Sequence, residues 1–218
     1  MSEIATIAAS IFRHAARMPR FVVAIAGAPA AGKSTLAEKL HDLLPEGSAV
    51  VVQMDGFHFD DAILHQRGLR SRKGAPETFD YAGFAALLRR IRAAEPDIAI
   101  PVFDRDMELS RAGARIIGAD IKFVLVEGNY LLLDEAPWND LAPLFDFSIF
   151  LDVPRAELER RLMMRWREQG RPDEEARAWV ASNDLPNAER ILARLRRADL
   201  VLSEPSAGTG EGYKPASA

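Results

Sequence analysis

The chain has 218 residues, a formal charge of −4 at pH 7 and no cysteine. This length suits one domain with a sizeable core, and the mild acidity gives no general attraction to nucleic acid or an anionic membrane. The lack of cysteine excludes disulfides, thiolate metal sites and cysteine nucleophiles. No apolar run reaches the ~18 residues of a membrane span, and the N-terminus lacks a signal-peptide pattern. We therefore expect a cytoplasmic monomer or homodimer with neither a nucleic-acid nor a membrane partner.

The apolar residues predict strands that alternate with helices. Apolar runs indicate buried strands, and apolar positions three and four residues apart indicate amphipathic helices. The polar stretch 59–80 is expected to be an irregular loop, and residues 104–120 show no clear pattern. The predicted strands cover 21–26, 49–53, 121–126, 147–153 and 199–203. A further strand or extended segment is predicted over 98–103, and Pro101 confines it to an edge or a strand end. The predicted helices cover 4–17, 33–44, 81–94, 154–168, 173–180 and 188–197.

The turn after the first strand fits G-x-x-x-x-G-K-S/T, the phosphate-binding P-loop or Walker A motif. Its glycines let backbone amides approach phosphate at a helix N-terminus. Lys33 would reach the β- and γ-phosphates, and Ser34 would hold Mg²⁺. The alternative, a glycine turn with a surface lysine, is disfavoured by the strand and helix on either side. The predicted nucleotide-binding residues are Gly27, Ala28, Pro29, Ala30, Ala31, Gly32, Lys33, Ser34 and Thr35.

Alternating strands and helices predict a three-layer α/β fold, with a parallel sheet of about five strands covered by helices on both faces. Ligands of such sheets bind at the carboxyl ends of the strands. The P-loop, Asp55, Glu127 and Asp152 should therefore share one edge. We expect one domain over 1–204 and a mobile tail over 205–218.

Two carboxylates at strand ends are candidates for the chemistry. Asp55 could accept a proton from a substrate hydroxyl or help to hold the metal, although Asp-Gly is also a common turn dipeptide. Glu127 ends the strand over 121–126, where a P-loop protein needs a carboxylate for Mg²⁺, although aspartate is the usual residue. The predicted metal ligands are thus Ser34, Asp55 and Glu127.

Arginines around the break at Gln169-Gly170 predict a helical lid over about 155–182. Such a lid can neutralise the charge that spreads over the γ-phosphate oxygens and can exclude water. Arg165 or Arg167 is expected to act there, and the pattern does not choose between them. Asp104 and Arg105 could contact substrate or form a solvated ion pair, and His58 could bind substrate or only fill its turn.

These motifs resemble the P-loop kinases grouped with uridine kinase, phosphoribulokinase and bacterial-type pantothenate kinase. Within that group, the chain is most similar to a bacterial branch labelled fructose transport system kinase. The residues that carry the resemblance are the P-loop, Met54-Asp55-Gly56-Phe57-His58, Arg72-Lys73-Gly74-Ala75-Pro76-Glu77-Thr78-Phe79-Asp80, Val126-Glu127-Gly128-Asn129-Tyr130 with the three leucines after it, and Asn183-Asp184-Leu185-Pro186-Asn187 before Ala198-Asp199-Leu200.

The resemblance implies transfer of the γ-phosphoryl group of ATP, with Mg²⁺, to a hydroxyl of a small molecule. It implies that Asp55 is a base or a metal-site carboxylate, with Lys33 and a lid arginine as further catalytic groups. It places Asn187 near the adenine. It assigns the acceptor site to segments 56–81 and 103–106 and to Asn129. The acceptor candidates are His58, Arg72, Lys73, Asp104, Arg105 and Asn129.

The acceptor itself stays open among a sugar, a sugar acid, a nucleoside and a vitamin precursor. Only the branch label suggests a fructose-type sugar, and Asp-Gly-Phe-His differs from the uridine kinase pattern, which argues against a nucleoside. A regulatory P-loop NTPase with a protein partner is the main alternative, although the chain lacks the Asn-Lys-x-Asp motif of GTPases. An ATP-binding transport subunit is disfavoured because no Leu-Ser-Gly-Gly signature is present.

Overall fold

The computed structural model describes residues 3–204, so the predicted tail over 205–218 lies outside the described residues. The strands are β1 (Phe21–Gly27), β2 (Ala49–Gln53), β3 (Ile98–Asp104), β4 (Leu109–Ile117), β5 (Phe123–Gly128), β6 (Phe147–Asp152) and β7 (Leu200–Ser203). The α-helices are α1 (Glu3–His14), α2 (Lys33–Leu43), α3 (Asp61–Gln66), α4 (Tyr81–Arg92), α5 (Arg155–Glu168), α6 (Asp173–Trp179) and α7 (Leu185–Ala193).

Five strands form the main sheet in the order β2-β5-β1-β6-β7, and every pair is parallel. The central strand β1 is buried along its whole length. Such a strand has helices on both faces, which explains its continuous apolar sequence. The predicted three-layer α/β fold with about five parallel strands is confirmed.

The alternation of side chains along β1 separates two apolar cores. Val23 and Ile25 face α1 and α2, whereas Val22 and Ala24 face α4 and the β3–β4 hairpin. Burying an aliphatic side chain of this size contributes about 2 kcal/mol, so both layers are held to the sheet mainly by the hydrophobic effect.

Three predictions need correction. Residues 59–80 are not irregular throughout, because Asp60 accepts a hydrogen bond from the Ala62 N–H and begins the short helix α3. Residues 104–120 contain β4, which pairs antiparallel with β3 as a two-stranded ribbon outside the main sheet. The last two predicted helices are joined, since the π-helical turn Val180–Asp184 connects α6 to α7, which ends at Ala193.

No helix within residues 3–204 is long and apolar enough to cross a membrane.

Candidate functional site

The carboxyl ends of β1, β2 and β5 meet at one edge of the sheet. In the register of the sheet, Glu127 lies beside Ile25 of β1 and Gln53 of β2. The P-loop continues from β1, and Asp55 follows β2 in a short 3₁₀ turn. Asp152 ends β6 at the same edge, but its side chain accepts a hydrogen bond from Ser203 at 3.4 Å and does not line the cavities described below.

The P-loop wraps around a cavity of about 320 Å³. Gly32 precedes α2 with a φ of +93°, a left-handed conformation that favours glycine. Gly27, Ala28 and Ala31 form the buried base of the loop. The P-loop residues that line the cavity are Pro29, Ala30, Gly32, Lys33, Ser34 and Thr35.

Lys33 is a buried cation held by the loop itself. Lys33 is only 8% exposed, and its Nζ donates a hydrogen bond to the Ala28 carbonyl at 2.8 Å. Burial lowers the pKa of Lys33 to about 8, although the carboxylates of Glu127 and Asp55 oppose that shift. The group forms no ion pair within residues 3–204, so its charge is available to a ligand.

Ser34 and Glu127 place two oxygen ligands on the wall of the same cavity. The Ser34 hydroxyl donates to Glu127 Oε1 at 3.3 Å. Burial and the nearby Asp55 carboxylate raise the pKa of Glu127 to about 7. A hydroxyl and carboxylates are hard oxygen donors of the kind that Mg²⁺ prefers, and a divalent cation beside Glu127 would favour its ionised form. The residues present therefore fit a magnesium ion.

Asp55 is surrounded by cationic groups. Burial opposes its ionisation, but the positive charges of His58 (when protonated), Arg105 and Lys33 outweigh this and lower its pKa. Arg105 Nη2 donates to Asp55 Oδ2 at 3.3 Å. Asp55 is therefore an ionised hydrogen-bond acceptor at neutral pH.

A second, larger cavity of about 510 Å³ adjoins the P-loop cavity. The residues that line both are Pro29, Asp55, Arg105, Asn129 and Arg165. The predicted acceptor residues His58 and Lys73 line the larger one only. Asp55 therefore lies where the two cavities meet.

His58 is a packed wall residue of the larger cavity. Its Nδ1–H donates to the Asp55 carbonyl at 2.9 Å, and its ring lies between those of Phe79 and Phe103. Burial lowers the pKa of His58, so its imidazole is neutral at pH 7. Both the predicted alternatives, a substrate contact and a packing role, describe this position.

The other predicted acceptor residues differ in position. Lys73 reaches the larger cavity while paired with Asp61 at 2.8 Å and Glu108 at 3.3 Å. Arg72 lies outside both cavities and pairs with Glu77 at 3.5 Å. Asp104 also lies outside them, because its carboxylate accepts the backbone N–H groups of residues 106 and 107 and caps the hairpin turn.

The structure separates the two arginines between which the sequence could not choose. Arg165 lines both cavities, and burial with the neighbouring Arg105 lowers its pKa. Arg167, on the opposite side of α5, is 54% exposed and forms a bidentate pair with Asp173 at 2.7 and 3.0 Å. Helical spacing explains the separation, since residues two apart point in different directions.

Asn187 is buried on the wall of the larger cavity and does not line the P-loop cavity. It lies near Gly74, whose carbonyl accepts a hydrogen bond from the Tyr130 hydroxyl at 2.6 Å. The resemblance placed this residue near the adenine, whereas its neighbours here are residues assigned to the acceptor side.

Sequence reasoning gave Trp166, Trp179 and Asp184 no role in the larger cavity, and it placed Arg171 only among the arginines around the lid break. These residues come from α5, the α5–α6 connection, α6 and the π-helical turn, and they meet only after these elements fold against one another. The chain has three tryptophans, so two of them within one short polar helical segment were a usable indication. A π-helical turn, which often marks a functional site, is not visible in sequence.

Comparison with known proteins agrees with this geometry. The model of the Phosphoribulokinase / Uridine kinase family matches residues 22–206. A crystal structure described as a "putative fructose transport system kinase" from Silicibacter sp. TM1040 has a TM-score of 0.87 and 41% identity, and the match covers 93% of this chain and all of that one.

Two curated relatives differ in how much of their length is matched. The uncharacterized protein YggC of Escherichia coli (strain K12) is 39% identical over 87% of this chain and 80% of its own length. The pantothenate kinase of Streptomyces coelicolor is 34% identical over 68% of this chain, but the match spans only 48% of that enzyme, about half its length. Since the family model covers nearly all the described residues, the chain belongs to the Phosphoribulokinase / Uridine kinase family.

Proposed function

We propose that the protein is an ATP- and Mg²⁺-dependent kinase that transfers the γ-phosphoryl group to a hydroxyl of a small metabolite. One observation carries the proposal: Asp55, an ionised carboxylate, lies on the shared wall of the P-loop cavity and the larger cavity. A phosphoryl donor and an acceptor hydroxyl bound in the two cavities would meet beside this residue.

On the donor side, the chain supplies positive charge and backbone N–H groups. Lys33 would leave the Ala28 carbonyl and pair with the β- and γ-phosphates, whose negative charge would counteract the effect of burial on its pKa. Ser34, Glu127 and Asp55 would hold the metal. Mg²⁺, when bound, neutralises charge on the phosphates.

On the acceptor side, Asp55 would accept a hydrogen bond from the reacting hydroxyl and orient it toward the γ-phosphate. Its lowered pKa makes it a weak base, which is tolerable because phosphoryl transfer demands positioning and charge stabilisation more than proton abstraction. As the bond between the acceptor oxygen and the γ-phosphorus forms, the bond from that phosphorus to the β–γ bridging oxygen would break and release ADP, and the hydroxyl proton would pass to Asp55.

The α5–α6 segment would act as the lid. Arg165 projects from α5 onto both cavities and carries no ion pair within the described part of the chain, so its charge can stabilise the transferring group. Arg167 would instead brace the outer side of the segment through Asp173. The cytoplasmic location stays a prediction.

Asp55→Asn tests the proposal. The substitution keeps the size of the side chain but removes its negative charge, so we expect the turnover of acceptor to fall by about 10²–10⁴-fold with folding retained. MgATP should still bind, more weakly than to the wild-type protein, because Ser34 and Glu127 remain to hold the metal. The measurement is ADP release with a panel of sugars, sugar acids, nucleosides and vitamin precursors, alongside nucleotide binding by calorimetry. Wild-type turnover in this variant would show that Asp55 has neither role.

The regulatory NTPase with a protein partner is the contrary outcome. Steady ATP hydrolysis that no metabolite in the panel changes, together with a stable protein complex, would favour it. The cavity beside Asp55 argues for a small molecule instead, because its volume of about 510 Å³ is in the range of pockets that bind metabolites.

A further inference from the structure

Asp184 is a buried carboxylate that the proposed transfer does not use. It ends the π-helical turn, and its Oδ2 accepts a hydrogen bond from Trp166 Nε1 at 2.7 Å. Its other oxygen has no hydrogen-bond partner among the residues described, and the side chain lines the larger cavity. Burial raises the pKa of Asp184 to about 6, so above pH 7 it is an ionised group that can only accept hydrogen bonds.

Arg171 offers the complementary chemistry beside it. Its Cζ lies 4.3 Å from the centre of the Trp166 ring and 5.0 Å from that of Trp179. Cation–π contacts with two rings hold the guanidinium in place without neutralising it. Within residues 3–204 its side chain forms neither an ion pair nor a hydrogen bond, and a guanidinium can only donate.

The remaining cations of this cavity have other partners. Arg70 and Lys73 pair with Asp61, and Arg105 contacts Asp55. Arg165 also lines the P-loop cavity, where the phosphates would take up its charge. The lining carboxylate of Asp106 is exposed to solvent, which screens its charge. Asp184 and Arg171 are left with opposite charges, so the lining does not call for an acceptor with net charge.

A ligand group must satisfy an acceptor-only carboxylate and a donor-only guanidinium in one place. A carboxylate or phosphate on the ligand would serve Arg171 but repel Asp184, and an ammonium group would do the reverse. A hydroxyl both donates and accepts, and neighbouring hydroxyls on one carbon chain can serve both side chains together. The two tryptophans line the same cavity, and their rings suit the C–H surface of such a molecule.

We propose that Asp184 and Arg171 form a recognition subsite for hydroxyl groups remote from the reacting one, so that the phosphoryl acceptor is an uncharged polyol of the sugar type. The inference rests on the proposed function, whose acceptor it narrows. Asp184, Arg171 and the two tryptophans would determine specificity, while Asp55 handles the reacting hydroxyl.

The test compares acceptors that differ by one group. ADP release is measured with D-fructose, D-ribose, 2-deoxy-D-ribose, D-gluconate and 3-hydroxybutyrate. We expect an uncharged polyol to be the best acceptor, and its deoxy counterpart to lose at least about 100-fold in kcat/KM, because the site's polar groups are then left unpaired. Equal or better turnover of 3-hydroxybutyrate or gluconate would overturn the inference and leave the kinase proposal standing.

Variants locate the effect at the subsite. Asp184→Asn keeps an oxygen for the Trp166 N–H but replaces the free acceptor with a donor, and Arg171→Gln removes the charge. Each should raise the KM for the polyol by about 10–100-fold and leave the KM for MgATP within about twofold. Asp173→Asn, on the outer side of the same segment, is the matched control and should change neither constant.

Two outcomes separate the failures. An unchanged polyol KM in folded Asp184→Asn and Arg171→Gln, checked by thermal melting, overturns the subsite alone. If the wild-type protein binds MgATP yet phosphorylates no member of this panel or the wider metabolite panel, the proposed function fails and the inference falls with it.

Discussion

The two halves of the site are built in different ways. The phosphate side comes mostly from one continuous stretch, residues 27–35, whose geometry follows from a strand end, a glycine turn and a helix start. The larger cavity takes its walls from segments near residues 58, 73, 105 and 166–187, which meet only in the folded molecule. A local motif can therefore specify donor chemistry, whereas acceptor chemistry depends on tertiary packing.

Their electrostatics differ as well. On the phosphate side, Lys33 is buried without a carboxylate ion-pair partner among residues 3–204 and Glu127 has a raised pKa, so both charges are poorly compensated until a ligand and a metal bind. On the acceptor side, Lys73 and Arg70 are already paired with Asp61. The first half is prepared for a highly charged ligand and the second for one with little charge.

Lys33→Met should give the largest effect of the substitutions below, and this effect should be confined to the donor half of the site. The substitution removes the cation that would face the β- and γ-phosphates but keeps an apolar stem in a buried position, so the fold should survive. We expect kcat to fall by about 10³-fold, as when a preorganised charge-stabilising group is lost. Single-turnover phosphoryl transfer measures this loss of rate, and unchanged binding of the acceptor is the control. A loss of less than tenfold would contradict the assignment.

Arg165→Ala and Arg167→Ala sharpen the comparison at the point where the halves meet. Arg165 lines both cavities, so its loss should reduce kcat by about 10²–10³-fold. Arg167 lies outside, in an exposed pair with Asp173, and its loss should change kcat by less than twofold because exposed pairs contribute little. Steady-state kinetics of both variants checks this. Equal losses in the two variants would contradict the separate roles of the two arginines.

The same division explains what the sequence could predict. The order of strands and helices, the parallel sheet and the meeting of the P-loop with Asp55 and Glu127 follow from apolar periodicity and from the rule that parallel strands end at one edge. Each of these depends on short stretches of chain. The approach failed for residues 104–120 because β4 has no apolar face along its length: residues 111–116 are all exposed, and Arg111 and Arg115 interrupt the apolar alternation.

The acceptor wall could not be predicted for a physical reason. Asp184 and Arg171 are ordinary charged residues in polar stretches of the chain. Only their contacts with Trp166 and Trp179 hold them on the cavity wall. Arg72 and Lys73 are adjacent in sequence, yet one lies outside the cavities and the other on the wall. No spacing rule separates two neighbours in an irregular segment.

The pH dependence of nucleotide binding should follow Glu127. Because burial raises its pKa from 4.5 to about 7, the free protein holds a proton there below pH 7, and this proton must leave when Mg²⁺ binds. The affinity for MgADP should therefore fall as the pH decreases below 7, by about tenfold per unit.

Calorimetry at pH 6, 7 and 8 measures the fall, and Glu127→Gln is its control. The variant should bind weakly and lose this part of the dependence, while any titration of the nucleotide itself persists in both proteins. Asp55 cannot produce the effect, since its pKa is lowered and it stays ionised over this range. The same slope in the variant and the wild-type protein would exclude Glu127 as its source.

Gly56→Ala should give a modest loss of activity that is confined to the acceptor half. A Cβ at this position would lie 2.8 Å from the Pro101 carbonyl oxygen, so β3 must shift away from the Asp55 turn and carry Arg105 with it. We expect a loss of about 1–3 kcal/mol in the free energy of unfolding from overpacking. Displacing the wall should lower kcat/KM for the acceptor by about fivefold, less than a full 1 Å misplacement would cost. The affinity for MgATP should not change, because no P-loop residue takes part in the contact between position 56 and Pro101.

Ala114→Ser, on the exposed face of the same hairpin, is the matched control for denaturant melts and kinetics. Weakened MgATP binding in Gly56→Ala would show that the two halves of the site are mechanically coupled through the Asp55 turn.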